Sequence, residues 1–101
     1  MAKIPPRLQS ILWSVNVKKL NLHQDRAYII NHVLAYGSWE DLKWLFKTYP
    51  EKVIKQIFIQ KPMKVYSPAA FNFTKEILLK LENKNLDSYQ YETNLPRIIR
   101  S

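Results

Sequence analysis

The sequence predicts an all-α protein, a compact bundle of about five short helices in a helix-turn-helix-like arrangement, with an extended C-terminal tail. Three observations lead to this fold class. The chain has a single glycine, Gly37, whereas β sandwiches and barrels need glycine at many tight turns. Its apolar residues recur at spacings of three and four, as they do on one face of a helix. Proline, serine and asparagine stand where such segments begin, so the helix boundaries can be predicted.

The first two predicted helices lie before Gly37. Pro5 and Pro6 suit the start of a short first helix, which a connector follows. Asn21 is a favourable N-cap for a second helix over residues 22–36, and Gly37 is expected to end it in the left-handed conformation. The side chains expected in the core are those of Leu8, Ile11, Leu12, Val15, Val17, Leu20, Leu22, Ile29, Ile30, Val33 and Leu34.

A third helix is predicted to begin directly after Ser38. Ser38 and Asp41 have the spacing of a capping box, and Glu40 places a second negative charge in the first turn, where the helix dipole favours it. One face of this helix is expected to be buried, and it consists of Trp39, Leu42, Leu45, Phe46 and Tyr49.

Prolines also mark the fourth and fifth helices. Pro50 is expected at the first position of the fourth helix, which Pro62 ends after about residue 60. Ser67 followed by Pro68 is a start signal for a fifth helix that runs to about residue 82. The core residues expected from these two helices are Val53, Ile54, Ile57, Phe58, Ala70, Phe71, Ile77, Leu78 and Leu81.

Composition and charge restrict the classes of function. The 101 residues allow one domain, and the absence of cysteine excludes a disulfide framework or a thiolate metal site. No apolar run approaches the ~20 residues that span a bilayer, and residues 1–10 do not resemble a signal peptide, so we expect a cytoplasmic protein without a membrane partner. The net charge of +8 favours nucleic acid or an acidic protein surface as a partner. The alternative is that this charge serves solubility alone.

Candidate catalytic groups are scarce. His23 and His32 are nine residues apart on one predicted helix, so they point to opposite sides and cannot share a metal. The carboxylates are scattered, and a chain with one glycine has no glycine-rich phosphate loop. The sequence therefore predicts a protein that is not an enzyme and takes no cofactor, metal or small-molecule substrate.

A lysine-rich stretch around the turn before the fifth helix suggests DNA binding. A basic turn and a helix start with small residues are what a helix-turn-helix protein presents to the major groove. The residues that would contact DNA are Lys61, Lys64, Ser67, Asn72 and Lys75. The alternative is a solvated lysine-rich face.

Trp44 lies on the side of the third helix opposite its apolar face. Either this helix is central and buried on two sides, which we favour, or Trp44 is an exposed aromatic anchor for a partner.

The C-terminal tail contains a second group of candidate partner contacts. We divide the chain into a helical domain, residues 1–85, and a tail, residues 86–101. The tail is polar except for aromatic, apolar and basic residues that suit docking on a partner surface: Tyr89, Tyr91, Leu95, Arg97, Ile98, Ile99 and Arg100. The alternative is a tail that folds back over its own core or frays.

Several of these segments together resemble a known family. They are Ala35-Tyr36-Gly37, the stretch from Trp44 to Tyr49, and the stretch from Tyr66 to Phe73. This pattern resembles short uncharacterised bacterial proteins encoded beside nucleotidyltransferase-like toxins of the AbiEii type. The resemblance covers roughly residues 6–82, and Pro50 departs from it, since a glycine-like turn residue is expected there.

The resemblance implies an antitoxin that binds and neutralises a toxin, and this is the leading hypothesis for function. A basic helix-turn-helix transcriptional regulator, with DNA as its partner, is the alternative. An RNA-binding module is a third hypothesis, which rests only on charge and aromatic content.

Overall fold

The computed structural model describes residues 4–12, 16–81 and 83–93. Its α-helices are α1 (Arg26–Tyr36), α2 (Trp39–Thr48), α3 (Glu51–Gln60) and α4 (Pro68–Asn72). A π-helical segment, Phe73–Leu78, continues α4, and short 3-10 helices span Pro6–Ser10, Val17–Lys19 and Ser88–Gln90. In the described residues, β pairing is limited to an isolated bridge between Tyr66 and Glu92. The described chain is thus a compact, mostly helical globule without strands, and the all-α prediction is confirmed.

The first of the five predicted helices is a five-residue 3-10 helix. The N–H of Leu8 donates to the carbonyl of Pro5 at 3.0 Å, and the N–H of Ile11 donates to that of Leu8 at 2.9 Å. Both bonds span three residues, as in a 3-10 helix. Leu8 and Leu12 are nevertheless fully buried, as predicted, whereas Val15 lies outside the described residues.

α1 begins four residues later than predicted because Asn21 caps a separate turn. The Asn21 side chain accepts hydrogen bonds from the N–H groups of His23 and Gln24, both at 2.8 Å. Asp25 accepts a bond of 2.7 Å from the N–H of Asn21, which closes this turn. The regular helix starts only at Arg26.

The central helix is α1, and not α2 as the position of Trp44 had suggested. α1 packs against α2, α3 and α4, and its residues 29–34 are all buried. A helix that is buried all round its middle turns has neighbours on every side. Trp44 is half-buried and packs against the core, so the side of α2 that carries Trp44 is only partly covered.

Gly37 ends α1, but not in the predicted left-handed conformation. Its φ of −70° and ψ of 152° are extended backbone. The reason for glycine is steric: a Cβ atom here would lie 2.6 Å from the carbonyl oxygen of Val33 and 3.0 Å from the Cβ of Asp41. Glycine therefore allows α2 to start immediately against the last turn of α1.

The predicted capping box of α2 is confirmed and is linked to the N-terminal segment. The N–H of Ser38 donates to Asp41 at 2.9 Å, and the N–H of Asp41 donates to the Ser38 hydroxyl at 3.4 Å. Arg7 donates to the second Asp41 oxygen at 2.8 Å. Burial acts to raise the pKa of Asp41, but the bonds from Ser38 and Arg7 outweigh it and hold that pKa below 3.8.

The fifth predicted helix is a short α-helix followed by a wider turn. Ser67 caps α4 by accepting a bond of 3.1 Å from the N–H of Ala70, as predicted. In the π-helical segment the N–H of Leu79 donates to Thr74, five residues back, at 2.9 Å. This extra residue per turn rotates the following side chains. Ile77, predicted in the core, therefore points outward, while Leu79 is fully buried.

The core closes on four aromatic rings, the aromatic cluster, which are those of Phe58, Tyr66, Phe71 and Tyr91. Tyr91 is 1% exposed, and its ring centroid lies 4.7 Å from the centroids of Phe58 and Phe71. Its hydroxyl donates to the carbonyl of Phe58 at 2.7 Å. Tyr66 and residues 91–93 are joined by two backbone bonds of 2.9 and 3.0 Å. The predicted tail, up to Thr93, thus folds back over its own core.

A buried polar link ties α1 to the segment before α4. Asn31 is fully buried, and its side-chain NH₂ donates to the carbonyls of Ala27 at 2.8 Å and Lys61 at 3.0 Å. Its side-chain oxygen accepts a bond of 2.7 Å from the Tyr66 hydroxyl. Every hydrogen-bonding group of this buried amide except one lone pair is therefore used, which fixes α1 against residues 61–66.

Candidate functional site

An apolar groove of about 410 Å³ lies between α2 and the π-helical segment. We call it the α2–π groove. One wall is formed by α2, the other by the π-helical segment, and the start of α3 closes one end. The lining residues are Trp39, Leu42, Lys43 and Phe46 of α2, Glu51 of α3, and Phe73, Ile77 and Leu78 of the other wall.

Most of the large apolar side chains that are exposed in the described residues line the groove. Five large apolar side chains are exposed in the described residues, and three of them line this groove. Trp39 is 64% exposed, Ile77 60% and Phe73 43%. Contiguous exposed apolar surface is uncommon on monomeric soluble proteins and marks sites of interaction. The groove is therefore the candidate functional site.

Helix geometry explains how α2 builds its wall. Residues 39, 42, 43 and 46 follow the spacing i, i+3, i+4 and i+7, so their side chains form one stripe along two turns. The core face, with the fully buried Leu45, lies beside this stripe. The prediction placed Trp39 and Phe46 in the core with Leu45. The structure puts Trp39 in solvent and leaves Phe46 partly buried at the groove.

The rim of the groove carries charges of both signs. The Nζ of Lys43 lies 3.5 Å from a carboxylate oxygen of Glu40, and the Nζ of Lys55 lies 3.3 Å from a carboxylate oxygen of Glu51. All four side chains are substantially exposed. Exposed pairs of this kind contribute little to stability and are readily exchanged for other partners.

Trp44, predicted as a partner contact, lies away from the groove. By helical spacing its side chain is about 150° round α2 from the groove stripe. It is half-buried against the core, and its carbonyl accepts a bond of 2.8 Å from the hydroxyl of Thr48. The larger exposed indole surface belongs to Trp39.

The predicted tail contacts separate into three groups. Tyr89 is 66% exposed and remains available to a partner. Tyr91 is part of the aromatic cluster, so the prediction that it contacts a partner is corrected: its side chain is enclosed by the protein's own core. The remaining candidates, which lie outside the described residues, are Leu95, Arg97, Ile98, Ile99 and Arg100.

The predicted DNA contacts surround the turn between α3 and α4. The exposed ones are Lys61, Lys64, Ser67 and Asn72, whereas Lys75 is half-buried. Ser67 already uses its hydroxyl as the cap of α4. α4 itself has only five residues, and the solvent-facing side of its π-helical continuation presents Phe73, Glu76 and Ile77.

His32 is buried on the central helix, α1. Its ring centroid lies 4.1 Å from that of Tyr28, and its Nδ1 is 3.0 Å from the Tyr28 carbonyl. Burial lowers the pKa of His32 below 6.5, although the bond to Tyr28 acts in the opposite direction. The neutral imidazole is thus a packed member of the central helix.

Residues 4–12, 16–81 and 83–93 lack two further kinds of site. In these ranges no three histidine, cysteine, aspartate or glutamate side chains come together as metal ligands would. Nor do they contain a helix with the length and apolar content needed to cross a membrane.

Comparison with known proteins gives a family for the chain. A family of unknown function, DUF6922, matches residues 8–58, which is just over half of the sequence. No curated protein and no solved structure matches the chain. The matched range contains α1, α2 and most of α3, and hence one wall of the α2–π groove, while the wall from Phe73 to Leu78 lies beyond it. The chain therefore belongs to the family of unknown function DUF6922.

Proposed function

We propose that this protein is an antitoxin-like binding protein that captures and neutralises a partner toxin, a nucleotidyltransferase-like protein. The observation that carries the proposal is the α2–π groove, where Trp39, Phe73 and Ile77 expose apolar surface at one place. Buried aromatic anchors supply much of the affinity in protein interfaces. The resemblance to antitoxin-like proteins supplies the class of partner.

The apolar character of the groove favours a protein partner over DNA. Base edges and phosphates are recognised by donors and acceptors, chiefly from arginine, lysine, asparagine and glutamine. The exposed side of the π-helical segment instead offers Phe73 and Ile77 with an acidic residue, Glu76, between them. A carboxylate so close to the groove would repel phosphate, whereas the two apolar side chains would be covered by a protein.

DNA binding is the second candidate function. In it, α3 and α4 act as a helix-turn-helix-like pair, and the exposed side chains of Lys61, Lys64 and Asn72 contact DNA. Replacing both lysines with glutamine should then weaken binding to all sequences and reduce its salt dependence, while Asn72→Ala should change sequence preference. Binding that is insensitive to these substitutions would exclude this function.

The proposed function is tested with the product of the gene beside this one. We expect a tagged form of the protein to copurify with that product and to restore growth of cells that express it. Trp39→Ser should weaken both effects, whereas Tyr36→Ser, at another exposed aromatic residue that does not line the groove, should not. If the neighbouring product is not toxic, or if the protein neither binds nor neutralises it, the proposal is wrong.

The predicted contacts beyond Thr93 need a separate variant. Truncation after Leu86 would remove Tyr91 from the aromatic cluster and so perturb folding as well as binding. Truncation after Thr93 preserves the cluster and removes Leu95, Arg97, Ile98, Ile99 and Arg100 together. If these residues contact the toxin, the truncated protein should melt like the full chain and bind the toxin more weakly.

A further inference from the structure

We propose that the segment after α4 is a conformational switch with two helical registers, the π register of the structure and a regular α register. The π register presents Ile77 at the α2–π groove and buries Leu79. The α register turns Ile77 toward the core and Leu79 toward solvent. Because the two registers concern the wall of the groove itself, this inference goes beyond the proposed function and does not depend on it.

Helix geometry shows which side chains the two registers exchange. Thr74 is fully buried and marks the core side of the segment. In a regular α-helix, Ile77 would lie about 60° from Thr74 around the axis and Leu79 about 140° from it. The structure has the opposite arrangement, since Ile77 is 60% exposed and Leu79 is fully buried. The wider turn produces this exchange, because the N–H of Leu79 donates to the carbonyl of Thr74, five residues back, at 2.9 Å.

The π register carries two local costs that the α register would remove. The Thr74 hydroxyl is buried and has no hydrogen-bond partner among the residues that the structure describes. In a regular helix a threonine hydroxyl can donate to the carbonyl four residues earlier, here that of Ala70. Lys80 ends the segment with a φ of 52°, in the left-handed region that disfavours a residue with a Cβ atom. A longer α-helix would place Lys80 in the right-handed region.

Apolar burial is similar in the two registers and therefore does not decide between them. The π register encloses Leu79, and the α register would enclose Ile77, a side chain of the same size. Leu78 and Leu81 pack against the core already, and in the α register both would lie within about 40° of Thr74. Two packings of one segment that are close in free energy make a bistable element.

The register determines how much of the α2–π groove a partner meets. In the π register Ile77 stands on the wall opposite α2, together with Phe73. In the α register Ile77 leaves this wall and the groove loses part of its apolar surface. A partner that contacts Ile77 selects the π register, and its apparent affinity falls in proportion to the fraction of molecules in that register.

Thiol labelling tests the exchange, because the chain contains no cysteine of its own. Leu79→Cys places a thiol where the π register buries it and the α register exposes it. Leu45→Cys, at a fully buried position of α2, reports global unfolding. Denaturation of each full-length variant gives the labelling rate that global unfolding alone would allow. The Leu79→Cys variant should react at least about 10-fold faster than that rate, whereas the Leu45→Cys variant should follow it.

Second substitutions distinguish a change of register from fraying of the segment. Ile77→Ser removes the side chain that replaces Leu79 in the core, so it should slow labelling of the Leu79→Cys variant about 10-fold. Fraying would not respond to this substitution, because Ile77 is already exposed. Phe73→Ser is the matched control, at an exposed apolar residue where the segment begins, and should leave the rate unchanged. Lys80→Gly relieves the left-handed residue of the π register and should also slow labelling.

The outcomes that would overturn the switch are distinct. Labelling of the Leu79→Cys variant at the rate of global unfolding would mean that Leu79 never leaves the core on its own. Fast labelling that Ile77→Ser does not slow would mean that the segment frays, and the inference would be wrong. NMR relaxation dispersion checks the unsubstituted chain, in which the amides of residues 77–81 should show microsecond-to-millisecond exchange. Flat dispersion profiles at these amides would also overturn the inference.

Discussion

Replacing Gly37 with alanine tests the packing of α1 against α2. The added Cβ would lie 2.6 Å from the Val33 carbonyl oxygen of α1 and 3.0 Å from the Asp41 Cβ of α2, so the junction between the two helices must shift. Overpacking of this kind costs about 1–3 kcal/mol. Alanine also restricts the unfolded chain, which returns about 0.4–1 kcal/mol where the backbone angles suit it. The net effect should be a loss of about 1–2 kcal/mol in the free energy of unfolding.

Urea and thermal denaturation followed by circular dichroism measure this loss. For a domain of this size, we expect a fall in Tm of roughly 4–16 °C. Gly37→Asn is the informative companion, because asparagine tolerates the left-handed conformation but carries the same Cβ. If glycine were needed for a left-handed residue, asparagine would be clearly milder than alanine. A milder asparagine variant, or an alanine variant as stable as the parent, would refute the steric explanation.

Three further predictions concern the core. Tyr66→Phe removes the hydroxyl that donates to the buried side-chain oxygen of Asn31, and it should lower the free energy of unfolding by about 1–3 kcal/mol in urea denaturation. An unchanged free energy of unfolding would contradict this hydrogen bond. Because burial lowers the pKa of His32, the contribution of the neutral imidazole to stability is fully present above pH 6.5 and is lost as the pH falls below that value. His32→Gln should flatten this part of the curve of unfolding free energy against pH. An identical curve for the variant would contradict a lowered pKa of His32. Tyr91→Ala should cost about 3–5 kcal/mol, whereas Tyr89→Ala, two residues away and exposed, should change stability by less than about 0.5 kcal/mol; equal effects in thermal melting would show that Tyr91 is not a core residue.

Local signals in the sequence predicted helix boundaries well, because capping depends on residues a few positions apart. Ser38 with Asp41 and Ser67 with Pro68 begin helices as expected, and α3 ends before Lys61 and Pro62. Asn21 also caps as predicted, but the turn it caps is not continuous with α1. A cap shows that a turn starts, not how far the helix then extends.

Which faces of the helices are buried could be predicted less well, because this depends on tertiary neighbours. α2 has more apolar residues than one core face needs, and the helical wheel alone does not say whether Trp39 or Trp44 lies closer to the core. Nothing in the sequence from Phe73 onward indicates a π-helix, because a helical wheel assumes 3.6 residues per turn throughout. Its wider turn moved Ile77 to the surface, and the opposite wall of the candidate site was missed for that reason.

The aromatic cluster also orders events during synthesis. Tyr91 follows Phe58, to whose carbonyl it is bonded, by 33 residues. At about 5–20 residues per second, a ribosome takes roughly 2–7 s to add them. The core around Phe58 can therefore close only after almost the whole of the described chain has been made. A chain shortened before Tyr91 would leave the ring of Phe58 uncovered, so these late residues belong to the folding unit itself.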